Sequence, residues 1–336
     1  GEPRPILGPY DGGAVGTAHF ASAGQVEQAI DAAREAAPRV AALAPHERVE
    51  ILRRMADGLR ARRDELGRLI SAEAGKPIRF ASVEAARAVD TFTEAAEQCK
   101  RLQGEYISIE AVAGGDGRHG VVRRFPVGTV AGISPFNFPL NLASHKVAPA
   151  IAAGCSMVLK PASQTPMSAL ALGELALEAG LPPGGLNVVP ADRQAANLLT
   201  TDERIALLTF TGSAEVGWGM KSRAGKKRVV LELGGNAAAI VGPDIEQTRT
   251  VDEVVRRLVV GAFAYAGQVC ISVQRIFVLE PLARLFIERF VEATRELAKV
   301  GDPSDPDVVV GPIIDRANLE RTVEWIARAR AAGARV

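Results

Sequence analysis

The spacing of apolar residues changes character along the chain. From residue 24 to 101 the pattern is helical: Val26, Ile30, Ala33 and Ala37 recur at three- to four-residue intervals, as do Ala85, Val89, Phe92 and Ala96. Pro38, Pro45 and the Gly75-Lys76-Pro77 turn are expected to break this region. A strand-like stretch follows at 106–109, then four glycines (Gly114, Gly115, Gly117, Gly120), then a second apolar run at 121–125, which predicts a β-hairpin or arm. Beyond Val127 short apolar runs alternate with amphipathic ones. This predicts strands at 129–134, 156–160, 187–190, 206–210, 229–233, 238–241 and 274–279, and helices at 140–153, 167–179, 214–224, 251–266, 283–297 and 317–332. Such alternation implies an α/β class built on parallel strands with right-handed crossovers.

Composition narrows the classes. At 336 residues the chain exceeds one ordinary core, so two or more domains are expected. Hydrophobic residues at 47% and charged residues at 24% give a soluble globular balance, and a formal charge of +1 argues against a nucleic-acid partner. Lys226-Lys227-Arg228 and the other small basic groups read as solvated surface. Three cysteines do not make a disulfide framework and fit a reducing compartment. No apolar run reaches the roughly 20 residues that span a bilayer, and no secretory pattern opens the chain. A cytoplasmic protein without membrane attachment is the expectation.

Four segments carry chemistry. Thr211-Gly212-Ser213-Ala214-Glu215-Val216-Gly217 follows an apolar strand and opens a helix, where amides and helix dipole can face a phosphate. Its spacing is neither the dinucleotide fingerprint nor a Walker A loop, and a plain structural turn would look the same. Leu231-Glu232-Leu233-Gly234-Gly235-Asn236 places a carboxylate at a strand end, either as a general base on water or as a solvated residue. Gly267-Gln268-Val269-Cys270 puts a thiol in a loop after a helix, where a nucleophile can be exposed. Cys99 and Cys155 instead read as small buried hydrophobes. The histidines His19, His46, His119 and His145 form no motif with Cys270, which leaves a papain-like pairing unsupported. Ser134-Pro135-Phe136-Asn137-Phe138-Pro139 closes the first α/β strand; its asparagine amide could donate to an oxyanion, or the segment could be only a turn. No metal constellation is visible.

Together, and in this order, Pro-Phe-Asn137-Phe-Pro, Leu159-Lys160-Pro161-Ala162, Phe-Thr-Gly212-Ser-x-x-x-Gly217, Glu232-Leu-Gly-Gly and Gly-Gln-x-Cys270 resemble the aldehyde dehydrogenase superfamily, from the early helices to the last residue. The resemblance implies a Rossmann-type cofactor domain (1–105 and 125–233), an oligomerisation arm (106–124) and an α/β catalytic domain (234–336). It implies that Cys270 attacks an aldehyde and that Asn137 and the Cys270 amide hold the oxyanion. Hydride then passes to a nicotinamide, leaving a thioester cleaved by water that Glu232 activates. Lys160 would hold ribose hydroxyls. Gly212, Ser213 and Gly217 would lie beside the pyrophosphate, with Ser134, Pro135, Phe136, Ala162, Ser163, Leu233 and Gly234 completing the cofactor site. Many NAD-preferring members carry glutamate where this chain has Ser163; without that carboxylate a 2′-phosphate is not repelled, so NADP as well as NAD is expected. The partners implied are a small or polar aldehyde and a second copy of the chain, as homodimer or homotetramer.

Three further features bear on the match. The stretch between Glu232 and Cys270 is slightly long, a surplus assigned to the loop-like 242–251. Arg123 and Arg124 could suggest an anion clamp but read as solvated or interfacial arm residues. The end of the chain reads as a helix C-cap followed by the start of a strand, where a domain would not stop, so the catalytic domain is expected to be incomplete. The rival readings are a coenzyme A-acylating relative, a non-catalytic binding relative and a cofactor-free cysteine hydrolase. Glu232 argues against the first, and the joint presence of Cys270, Glu232 and Asn137 against the second. Lys160 and the Gly212–Gly217 segment would have no task in the third.

Overall fold

A computed structural model describes residues 1–245 and 251–335. The chain opens with an antiparallel hairpin, β1 (Glu2–Leu7) and β2 (Ala14–Phe20), on which the periodicity argument was silent. Four helices follow: α1 (Ala23–Ala42), α2 (Pro45–Ala61), α3 (Arg63–Ala74) and α4 (Ile78–Cys99). Ser22 and Gln25 form a capping box that starts α1, and Pro45 occupies the first turn of α2, where its missing N–H costs nothing. The expected break at Pro38 does not occur. Pro38 lies inside α1, where burial of Ala33, Ala36 and Val40 on the helix's inner face offsets the lost hydrogen bond. The break at Gly75 does occur: its φ of 63° ends α3 in the left-handed region.

The predicted arm is a short antiparallel pair, β3 (Glu105–Ser108) and β4 (His119–Val122), with Tyr106 stacked on His119. It projects from the body: Tyr106, Val121 and Phe125 are each about two-thirds exposed or more.

The predicted strands and helices of the α/β region form with boundaries within two residues, joined by one helical turn that the apolar pattern does not announce. The region comprises β5 (Val130–Ile133), α5 (Asn141–Ala152), β6 (Met157–Lys160), α6 (Met167–Glu178), β7 (Leu186–Val188), the single turn α7 (Leu198–Thr201), β8 (Leu207–Thr211), α8 (Ala214–Arg223) and β9 (Arg228–Glu232). The five strands form one parallel sheet in the order β7-β6-β5-β8-β9. Alternate residues face opposite cores. Val130, Met157 and Leu159 pack against α2 to α6, while Ala131, Ile133, Val158, Leu208 and Phe210 pack against α1 and α7. A sheet covered on both sides explains why its strands are continuous apolar runs. Strand order reverses between β5 and β8, and at such a switch point the carboxyl ends of adjacent strands diverge into a crevice.

Beyond β9 lie β10 (Ala238–Val241), α9 (Val251–Phe263), β11 (Arg275–Val278), α10 (Glu280–Leu297) and α11 (Arg316–Ala331). β10 and β11 pair in parallel, and with α9 and α10 they enclose a separate core around Val255, Val259 and Phe286. Of the surplus assigned to 242–251, residues 246–250 lie outside the described residues.

Candidate active site

The site is built from strand ends. β5 runs into Ser134-Pro135-Phe136-Asn137-Phe138-Pro139 before α5, β8 into the Gly212 turn before α8, β9 into Glu232-Leu233-Gly234-Gly235, and α9 into the cysteine turn. Three of these four converge on one another. The Asn137 side-chain Nδ2 donates to the carbonyl of Gln268 at 2.9 Å, two residues before Cys270. A Cβ on Gly235 would stand 3.3 Å from the Cys270 carbonyl, so the β9 turn lies against the backbone of Cys270. Thr211 and Glu232 are register partners across β8 and β9, and the Gly212 amide donates to the Glu232 carbonyl at 3.0 Å. Cys270 is exposed, whereas Cys99 and Cys155 are buried; burial pushes the Cys99 thiol up, and its Sγ donates weakly to the carbonyls of Ala152 and Pro45.

The cysteine turn is held tightly. Tyr265 and Ala266 both adopt left-handed conformations, with φ of 52° and 54°, which side chains other than glycine rarely occupy unless the surroundings fix them. Gln268 does much of that fixing. Its Nε2 donates to the carbonyls of Tyr265 and Pro312, and its Oε1 accepts from the amide of Ile314. The glutamine of the Gly-Gln-x-Cys segment is therefore a brace, a role that its place in the sequence did not reveal.

Lysine 146 was missed altogether. It lies on the buried side of α5, and its alkyl stem passes over Gly132, where an added Cβ would stand 3.4 Å from Lys146 Cδ. Its Nζ reaches Thr209 at 3.2 Å and Thr211 at 2.8 Å. Burial pushes its pKa down to about 8, opposed by the attraction of Glu232. A charge among the apolar positions Ala143, Val147 and Ala150 was the available signal. His145, one residue earlier, is pushed down by burial and by Arg87 and Lys146, with Glu232 acting in the opposite sense.

A nicotinamide dinucleotide needs a pyrophosphate cradle and donors for its ribose, and the crevice residues fit it. A Cβ on Gly212 would meet the Phe210 ring at 2.5 Å, and one on Gly217 would meet Leu233 Cδ2 at 2.6 Å, so only bare backbone fits this turn. Ser213 has the extended backbone of an N-cap, but its side chain makes no capping hydrogen bond to α8 among the described residues. Ser134 ends β5 with its Oγ buried and unpartnered among the described residues. Pro135 and Phe136 follow it, half-buried. Lys160 ends β6; burial pushes it down to about 8, and Asp192 partly restores it. Ala162 is half-buried; Leu233 is half-buried too, and Gly234 is exposed with open space about it. Ser163 lines a cavity of about 820 Å³ bounded by residues 5–9 and 312–316.

The chain matches the model of the aldehyde dehydrogenase family over residues 2–336. It is 38% identical over 336 residues to a 3-sulfolactaldehyde dehydrogenase of Priestia megaterium, covering all of this chain and 69% of that protein. It is 39% identical to the NADP-dependent succinate-semialdehyde dehydrogenase of Escherichia coli, covering all of this chain and 68% of that one. Among solved structures, aldehyde dehydrogenase 21 of Physcomitrella patens, crystallised with its reaction product succinate, superposes with a TM-score of 0.94 at 43% identity, over 98% of this chain and 68% of that chain. The parallel sheet, the convergence on Cys270 and these likenesses agree: the chain belongs to the aldehyde dehydrogenase family, and it is an oxidoreductase that acts on aldehydes with NAD or NADP.

Proposed function

We propose that Cys270 is the nucleophile, that Asn137 and the Cys270 amide form the oxyanion site, and that Glu232 is the base that delivers water. The observation carrying this reading is the 2.9 Å bond from Asn137 Nδ2 to the Gln268 carbonyl, which holds an amide donor beside the cysteine turn. One hydrogen of that amide is engaged there, and the second is free to meet an oxyanion. Attack by the Cys270 thiolate on an aldehyde gives a tetrahedral adduct whose negative oxygen these donors stabilise. When bound, the nicotinamide cofactor accepts the hydride. Glu232 then takes a proton from water as the water's oxygen attacks the thioester carbon, releasing the acid and the Cys270 thiolate. Lys146 supplies positive charge near Glu232 from inside the sheet.

In this reading Gly212, Ser213 and Gly217 hold the pyrophosphate, and Ser134, Pro135, Phe136, Lys160, Ala162, Ser163, Leu233 and Gly234 line the rest of the cofactor site. The serine at position 163 carries no negative charge to oppose a 2′-phosphate, which supports use of NADP. Residues 1–105 and 125–233 form the cofactor domain and 234–336 belong to the catalytic domain, consistent with their separate cores. The exposed apolar arm at 106–124 supports a homo-oligomer. Free cysteines fit a cytoplasmic location. No helix among the described residues is long and apolar enough to cross a membrane.

For substrate we propose a short aldehyde with an anionic tail. The relatives above act on 3-sulfolactaldehyde and succinate semialdehyde, or bind succinate. The test is formation of NADPH and NADH from a panel of short neutral, anionic and cationic aldehydes, with Cys270→Ala as control. Turnover that favours anionic aldehydes and vanishes in Cys270→Ala is the expected result. A Cys270→Ala protein that still oxidises aldehydes would refute the assignment, and NAD(P)H formation that requires coenzyme A and yields an acyl-coenzyme A thioester in place of the acid would favour the acylating reading.

A further inference from the structure

Lys76 is 1% exposed and Glu84 likewise, buried among the helices α3, α4 and α5. A lysine this deep is rare, and an ion pair there gains little over a well-packed apolar pair, so its retention calls for a reason other than stability. The contacts supply one. Lys76 Nζ donates to Glu84 Oε2 at 2.7 Å and to the main-chain carbonyl of Asn137 at 2.9 Å, and it sits 3.3 Å above the Phe138 ring. The other Glu84 oxygen accepts from the amides of Leu140 at 3.1 Å and Asn141 at 3.0 Å, at the start of α5. One buried pair thus grips the β5–α5 connection at its middle and at its α5 end. The α3–α4 turn that carries Lys76 also reaches the cysteine turn: the Tyr265 hydroxyl donates to the Ala74 carbonyl at 2.8 Å, and the Tyr265 ring lies 5.3 Å from the Lys76 ammonium.

We infer that the buried Lys76–Glu84 pair is the positioning element of the oxyanion site, pinning the Asn137 backbone so that its side-chain amide faces the attacking thiolate. The inference rests on the proposed roles of Cys270 and Asn137. Lys76 touches neither substrate nor thiol; it acts through Asn137. Its removal therefore impairs only steps that develop an oxyanion, and it has no effect once Asn137 is gone.

Two Cys270 reactions separate these effects in the full-length protein. Acylation by p-nitrophenyl acetate requires oxyanion stabilisation and no cofactor, whereas alkylation by iodoacetamide develops no tetrahedral oxyanion. In Lys76→Met and the isosteric Glu84→Gln, we expect acylation to slow at least about tenfold, as for a displaced oxyanion donor, with alkylation changed less than about twofold. In an Asn137→Ala background, Lys76→Met should slow acylation by less than about twofold further, the signature of two residues acting as one unit. Equal losses in acylation and alkylation, no loss in either, or a full additional loss beside Asn137→Ala would overturn the inference. If neither variant folds, as judged by circular dichroism and NADPH binding, the pair is a structural brace and the inference is likewise overturned. Wild-type protein that acylates no faster than Cys270→Ala would overturn the underlying site assignment as well, which distinguishes the two failures.

Discussion

Replacing Gln268 by alanine removes three hydrogen bonds: to the carbonyl of Tyr265 at 3.2 Å, to that of Pro312 at 3.1 Å and from the amide of Ile314 at 3.0 Å. Neutral bonds of this kind contribute about 1 kcal/mol each. Gln268 is half-buried, so water replaces part of the loss, and the net cost is about 2 kcal/mol. For a chain of 336 residues that lowers Tm by about 3 °C. The larger consequence is local. Tyr265 and Ala266 hold left-handed conformations that cost about 1 kcal/mol or more each, and freeing the turn lets them relax. Relaxation carries Cys270 away from Asn137, whose Nδ2 is bonded to the Gln268 carbonyl. A displacement near 1 Å costs about a hundredfold in rate, so kcat should fall between about ten- and a hundredfold. Cofactor affinity should stay unchanged, since the Gly212 turn belongs to the other core. Thermal unfolding, NADPH fluorescence titration and steady-state kinetics read the three quantities. Gln268→Glu gives a control: its carboxylate still accepts from Ile314 but turns negative charge onto two carbonyl oxygens, so near neutral pH it should be worse than alanine. A Gln268→Ala enzyme with wild-type kcat, or a glutamate variant more stable than the alanine one, would refute the brace.

Two further expectations concern the scaffold. Glu73 is fully buried; its Oε2 accepts from the Met167 amide and its Oε1 from the Ser168 amide at the start of α6, yet burial pushes its pKa up to about 7. Its folded value thus lies above the unfolded 4.5, so the folded state holds the extra proton and stability falls as pH rises between these values, by up to roughly 3 kcal/mol. Glu73→Gln has no such proton to lose. Its stability relative to wild type, from urea unfolding, should climb from about pH 4.5 to about 7 and then level; a gap independent of pH would contradict this. Gly212→Ala drives a methyl to 2.5 Å from the Phe210 ring, which is itself only 5% exposed and cannot swing away. The strain should cost about 1–3 kcal/mol and weaken NADPH binding at least about tenfold, whereas Gly219→Ala on α8, with open space around it, should do neither. Equal NADPH affinities for the two variants would sink the cradle assignment.

The sequence determined the local elements and the chemical inventory. Period-3.6 and continuous apolar runs located the helices and the buried strands, because a sheet covered on both faces leaves no polar alternation to confuse the reading. The ordered motifs singled out Asn137, Glu232 and Cys270 as candidates, since each sits where an element ends and a side chain can leave the packed interior. Pro38 was misread because local propensity yields to tertiary burial. The tertiary structure alone decided which residues meet. That Lys76 lies beneath Asn137, that Lys146 crosses β5 to the threonines of β8, and that Gln268 ties the cysteine turn to residues 312–314 are contacts between segments 44 to 65 positions apart. No periodicity encodes such pairings; they arise only when the strand order and helix packing bring separate stretches of chain together. A buried charge is invisible as such in a sequence, because its cost and its partner are both properties of the fold.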